Sequence, residues 1–442
     1  MPARTRSTIH GAPRAVALLS ISLVVAVALA GPARAAATTK RVSVRSNEAQ
    51  GNNDSTEPVV SRDGRFVVFS SDASNLVAGD TNDAMDVFVR DRRLGTTKRV
   101  SVRSNEAQGN AGSQHPEVST NGRFVVFDSS ASNLVAGDGN NQIDIFVRDL
   151  QLGTTRLLSV RSNGNQGNGP SYDPSISGNG RFVVFTSESS NLVRSDTNDR
   201  RDVFLRDVQQ DTTVRVSLSS REAQGNEHSQ DTVISADGVS IVFLSSASNL
   251  VPRDTNGVTD VFVRDRVGGT TRRLSLNSTQ VQANGPSDLP TVSAKGRFVA
   301  FRSEATNLVG GDGNMVSDVF LRDRQVSTTK RVSLSTAGAG GDNGSNDPSI
   351  SANGRYVAFS SDASNLVEDD TNLSQDIFIR DRINRTTRRV SLSAVGGEGD
   401  GGSFDPEISG DGRFVVFESN STDLLTGDTN DATDIYIRGP LP

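Results

Sequence analysis

One period governs this chain. The segment GRFVVF starts at Gly64, and its glycine recurs at 122, 180, 238, 296, 354 and 412, always 58 residues on, with no insertion or deletion. The fourth copy has drifted to GVSIVF and the sixth to GRYVAF. The pair Thr38-Thr39 recurs on the same step, and residues 37–442 make seven whole periods. A regular period of this length restricts the chain to a propeller, a solenoid or an array.

Each period reads as four short strands. EPVVS (57–61) precedes Arg62-Asp63-Gly64, a tight-turn signal in which glycine supplies the left-handed backbone. RFVVFSS (65–71) is a nearly continuous apolar run, as in a strand buried on both faces. A long loop leads to DVFVRDR (86–92), and a short turn to TTKRVSVRS (96–104), whose polar-apolar alternation marks an outer strand. Four antiparallel strands repeated radially make propeller blades. The chain opens on an outer-strand copy with no inner strands before it (38–46) and ends on IYIR (435–438), where the seventh blade needs an outer strand. The first strand is therefore expected to complete the last blade and remove the open edges. The fold predicted is all-β: a seven-bladed propeller of four-stranded antiparallel blades, closed by the N-terminal strand.

The run PVVSRDGRFVVFSS…DVFVRDRRLGTTKRVSV resembles the WD-like repeat of TolB-like β-propellers, whose blade reads Pro-x-x-Ser-x-Asp-Gly, an apolar strand, Asp-Ile/Val-Tyr/Phe, a turn and an outer strand. The likeness covers 38–438 and implies the fold. TolB itself resembles a six-bladed propeller behind a small α/β domain, whereas seven repeats with longer loops are read here, so a role in the Tol envelope machinery is not carried over.

Strand direction puts both long loops of every blade on one face. The sharpest signal there is Asp-x-Asn-x-x-x-Asp, present as Asp80, Asn82, Asp86; Asp138, Asn140, Asp144; Asp196, Asn198, Asp202; Asp254, Asn256, Asp260; Asp312, Asn314, Asp318; Asp370, Asn372, Asp376; and Asp428, Asn430, Asp434. The oxygen-bearing side chains are kept while the residues between them vary, as a hard-cation site requires, and Ca2+ is the cofactor this suggests. The same retention follows from Asx-turn chemistry, and the last Asp can also pair with the Arg four residues on, as Asp86 with Arg90; the sequence leaves these open. Arg90 and its copies are expected to bridge blades, and Ser74-Asn75-Leu76 to fasten the long loop to the sheet.

His115 and His228 are the histidines beyond residue 35, at non-equivalent positions read as loop. There is no Gly-x-Ser-x-Gly elbow, no His/Cys cluster, no Trp and only three Tyr. From these absences we expect a noncatalytic propeller whose long-loop face binds a protein or peptide partner. The alternative is a hydrolase or lyase propeller with an acidic site at the central channel, its mouth lined by Glu57, Asp173, Asp231, Asp347 and Asp405, with His115 in the second blade.

Residues 1–35 read as a secretory leader: Arg4, Arg6 and Arg14, then an apolar stretch at 15–30, then Ala33-Arg34-Ala35 as a cleavage signal. This predicts a secreted or periplasmic, envelope-associated protein with no membrane insertion after cleavage, and a mature propeller from residue 36. Cleavage removes four arginines and no acid, taking the net charge from −6 to −10. Such an acidic chain is unsuited to nucleic acid. With no cysteine, stability must come from packing, with bound metal as an optional addition, and a monomer is expected.

Overall fold

The computed structural model describes residues 37–441, with positions 1–3, 8 and 11 ahead of them; the leader's apolar stretch and its cleavage signal lie outside the described residues. Seven four-stranded antiparallel sheets form one unit over 36–442. Blade 1 comprises Ser55–Val60, Phe66–Ser71, Asp86–Asp91 and Thr96–Arg99. Blades 2 to 6 repeat it at 58-residue steps. Blade 7 takes three strands from the end of the chain, Ser403–Ile408, Val415–Ser419 and Asp434–Gly439, and its fourth from the start, Thr38–Arg41. Thr38 pairs with Gly439 and Arg41 with Tyr436, so the ring closes as the sequence predicts.

The apolar runs fold this way because the second and third strands are covered on both faces. Phe69 stacks on Phe88 at 5.9 Å between ring centroids, and each blade repeats the pair, ending with Phe417 on Tyr436. Neighbouring blades share their cores: Val68, Val87 and Val89 of blade 1 pack with Val125, Phe127 and Leu134 of blade 2. Across the closure, Val42, Val416 and Ile437 pack with Val67 and Phe69. Gly64 has φ +73°, and a Cβ there would lie 2.3 Å from the Phe414 ring of the preceding blade. The turn therefore needs glycine for conformation and for space.

The outer strands stop earlier than predicted. Ladder pairing ends at Arg99, after which the chain folds back on itself and Val102 bridges Gln108. The pairing of Asp86 with Arg90, one of the alternatives the sequence leaves open, does not occur, since four residues along a strand span roughly 13 Å. Arg90 instead reaches the preceding interblade loop, donating to the Arg45 carbonyl at 3.0 Å and pairing with Glu48. Asn75 fastens the long loop as expected, accepting the Asn52 N–H and donating to the Gln50 carbonyl, with Leu76 buried beneath it.

Candidate functional site at the channel mouth

Seven first strands line the axis, and each carries a bulge. In blade 1 the ladder register shifts between Thr56 and Val59, and every other blade shifts at the equivalent place. The extra residue is Glu57, His115, Asp173, Asp231, Leu289, Asp347 or Asp405, all with φ between 46° and 54°. Proline follows six of them, suiting a position that gives no hydrogen to the ladder. A bulge re-aims its side chain, and a left-handed non-glycine residue costs about 1–3 kcal/mol, so this ring is strained where it faces the axis.

A second ring, one strand further out, consists of Ser70, Asp128, Thr186, Leu244, Arg302, Ser360 and Glu418. The two rings meet in blade 6, where Ser360 donates to Asp347 at 2.9 Å, and in a larger cluster spanning blades 1 to 3. His115 Nδ1 lies 2.7 Å from Asp128 Oδ2 and 3.7 Å from Asp173 Oδ1, while its Nε2 is 3.4 Å from Glu57 Oε1. The carboxylates also tie the blades together through backbone donors. The His115 N–H donates to Glu57 Oε2 at 2.8 Å, the Asp173 N–H to Asp128 at 3.3 Å, and the Glu57 N–H to Glu418 at 3.3 Å. Ser70 Oγ donates to Glu57 at 2.8 Å. Asp128 is 1% exposed and the His115 side chain 38%, so the imidazole is anchored at depth and reachable from the channel. His115 is thus a strand residue at the axis, not a loop histidine.

Burial opposes a charged imidazole, but the hydrogen bond and charge of Asp128, with Glu57 and Asp173 behind it, hold the His115 pKa up at about 9. Burial pushes Asp128 and Asp173 above the usual carboxylate range, with His115 offsetting part of the rise. Burial, with Asp173 and Asp288 near, raises Asp231 to about 6; burial, with Asp405 near, raises Glu418 to about 7. One nitrogen and two carboxylate oxygens, from His115, Asp128 and Asp173, lie within 4.8 Å of one another, a group that can hold a metal ion. Next to the mouth, between blades 3 and 4, a cleft of 620 Å³ is lined by Glu188, Arg201, His228 and Gln230. Arg302, across the ring, forks onto Asp288 and reaches Asn346 at 3.2 Å.

Of the mouth residues predicted from sequence, Glu57, His115 and Asp173 come together, while Asp231, Asp347 and Asp405 continue the ring. Asp128, Glu418 and Arg302 escaped prediction. Their signal was present: in the aligned repeats they replace the Ser or Thr of blades 1, 3 and 6.

The Asp-x-Asn-x-x-x-Asp loops lie apart from the axis, beside the outer strands. There the structure supplies a cation that the sequence reading did not consider. Arg99 Nη1 is 3.4 Å from Asp80 and 2.9 Å from Asp86. Arg215 joins Asp196 to Asp202, Arg273 joins Asp254 to Asp260, and Arg331 joins Asp312 to Asp318. Arg389 joins Asp370 to Asp376, and Arg41 joins Asp428 to Asp434. The asparagines brace the loops; Asn82, Asn198, Asn256, Asn314 and Asn430 each donate to the last Asp and to the following interblade loop. Asn372 donates to the Gly399 carbonyl.

No protein-family model matches the sequence, and no curated protein matches it. Solved structures do match. An oligogalacturonate lyase in complex with manganese is 11% identical, with a TM-score of 0.52, over 92% of this chain and 91% of the lyase. An acylaminoacyl peptidase is 10% identical, with a TM-score of 0.52, over 84% of this chain and 49% of the peptidase. TolB from Acinetobacter baumannii is 15% identical, with a TM-score of 0.42, over 80% of this chain and 66% of TolB. The shared fold is the β-propeller. At these identities the likeness is one of architecture, and this chain spans only about half of the peptidase. The expectation of a noncatalytic protein- or peptide-binding propeller is nevertheless corrected: the lyase, which this fold spans over 91% of its length, is an enzyme. The channel cluster carries no local catalytic motif because its residues come from three blades.

Proposed function

We propose that this propeller is an enzyme of the lyase or hydrolase class acting at the channel mouth, with a divalent metal held by His115, Asp128 and Asp173. The observation that carries this reading is the convergence of His115, Glu57 and Asp173, on strained bulges of three blades, with Asp128 of the next strand. Imidazole with carboxylates suits manganese, the ion held by the lyase of like fold, and calcium tolerates the same oxygens. When bound, such an ion supplies Lewis-acid polarisation of a substrate oxygen. Glu57 positions the imidazole from its Nε2 side and is itself fixed by Ser70. Glu418, with a pKa of about 7, is set to take or give a proton near neutral pH. The adjoining cleft offers Arg201 and Gln230 to a polar substrate. The lyase is covered over 91% of its length by this fold, so uronate oligosaccharides are the first substrates to test.

The test is turnover of oligogalacturonate and of neutral glycosides by the purified protein with added manganese or calcium. Unsaturated uronate ends report elimination, and reducing ends report hydrolysis. His115→Ala and Asp128→Asn should lower turnover about 10²–10⁴-fold while the melting curve keeps its shape. Full turnover in both variants, or none in the wild type on either substrate class, overturns the reading. We also propose export to the periplasm or beyond as a monomer that binds no nucleic acid. A mature mass starting near Ala36 supports export, and a secreted form retaining residues 1–35 refutes the cleavage.

A further inference from the structure

The seven long loops differ in one respect that bears on ion binding. Six place an arginine of the outer strand between the two aspartates, but in blade 2 that position is Leu157, which packs on the apolar cluster around Val125 and Phe127. Asp144 is fully buried there. Its Oδ1 takes the Ser159 hydroxyl at 2.5 Å, as the equivalent atom does in every other blade. Its Oδ2 is the atom that faces arginine in the other six blades; in blade 2 no cation faces it among the described residues, and it has only the Asn140 amide beside it, out of hydrogen-bonding geometry. The second carboxylate, Asp138, accepts the Gln166 amide at 2.9 Å and no guanidinium. The neighbouring amides are held by the loops: Asn140 donates to the Gly167 carbonyl at 3.2 Å, and Asn140 Oδ1 and Gln166 Oε1 accept the Gln142 and Gly139 N–H groups.

From this geometry we infer that the blade 2 loop binds one oxygen-preferring divalent cation through Asp138 and Asp144. The cation does in this blade what arginine does in the other six: it neutralises a buried carboxylate and joins the long loop to the blade. A pair of carboxylates without nitrogen or sulfur is the chemistry of calcium, which completes its shell with carbonyls and water. The site is separate from the channel cluster and does not rest on the enzymatic reading.

The experiment measures calcium retained at equilibrium dialysis, together with melting temperature with and without chelator, in the full-length mature protein. His115→Ala serves as the common background, so that the channel cluster does not contribute. With a dissociation constant on the order of 10⁻⁴–10⁻³ M, as in extracellular modules, the expected stoichiometry is one per chain. Leu157→Arg should lose that equivalent and melt at the same temperature with or without chelator. Asp144→Asn, which keeps the Ser159 contact, should lose it too and serves if Leu157→Arg does not fold. Arg99→Leu, which recreates the blade 2 arrangement in blade 1, should gain one equivalent. Calcium binding unchanged in Asp144→Asn, or no calcium retained by the His115→Ala background at millimolar concentration, overturns the inference and leaves Asp144 as a buried neutral acid.

Discussion

In the long loops, six blades hold the same arginine between the same two aspartates. At the channel mouth no two blades carry the same pair of bulge and second-strand side chains: Glu57 with Ser70, His115 with Asp128, Asp173 with Thr186, Asp231 with Leu244, Leu289 with Arg302, Asp347 with Ser360, Asp405 with Glu418. The backbone is sevenfold in both places: every bulge, like every long loop, has a left-handed residue at the same position. Where side chains repeat with the backbone, they hold the blade. Where they vary on an invariant backbone, the scaffold is holding different chemistry around one axis.

This contrast can be broken or sharpened by substitution. The largest effect on stability is expected in the repeated ring. Arg273 and Asp260 are 7% and 0% exposed, so Arg273→Met, which strands a buried carboxylate, should cost about 3–5 kcal/mol. Denaturant unfolding measures this, and turnover of the surviving folded fraction should be unchanged. A loss of activity at full stability would place function in the loops instead.

A smaller effect is expected inside the channel. Burial, with Glu117 nearby, raises the Glu407 carboxyl to about 8. An acid whose folded pKa is raised binds its proton more tightly when folded. Its stability contribution is therefore intact near pH 4 and is lost as pH rises from about 4.5 through about 8. Glu407→Gln should leave stability at pH 4 unchanged and add roughly 1 kcal/mol at pH 9, after allowance for solvent in the channel. Parallel stability–pH curves for the two proteins would show that this carboxyl is not held up by the channel.

The smallest effect belongs to Leu289, the bulge residue that carries no polar group. Left-handed backbone suits asparagine better than leucine, so Leu289→Asn should stabilise by roughly 0.5–1 kcal/mol, read as a rise in melting temperature with turnover retained. A destabilised variant would mean that Leu289 is kept for packing.

The period made the fold legible, because a fixed step of 58 residues with a stray outer strand at the start has few closed solutions. The local strand bounds were less so. The bulge at Glu57-Pro58 looks in sequence like a strand beginning, since proline signals an edge whether it ends a ladder or interrupts one. The mouth acids were visible as a set, but the pairing of His115 with Asp128 depends on neighbouring strands 13 residues apart, and nothing in either local segment announces it. Arg99 was hidden for the opposite reason: as part of a regular polar-apolar outer strand it reads as a solvent-facing residue, and only the fold turns it inward onto Asp80 and Asp86.

The closing strand also imposes an order of events. Thr38 meets Gly439 across the whole length of the propeller, and for an unstructured chain of that length the logarithmic closure term alone is about 5 kcal/mol. Assembly one blade after another shrinks that term, because each finished blade fixes the path of the next. The first strand to leave the ribosome is therefore the last to find its partner. Until then Thr38–Arg41 and the open edge of Asp434–Gly439 are complementary surfaces on every unfinished molecule. Two such molecules can satisfy one another, so the yield of closed rings should fall as the concentration of folding chains rises.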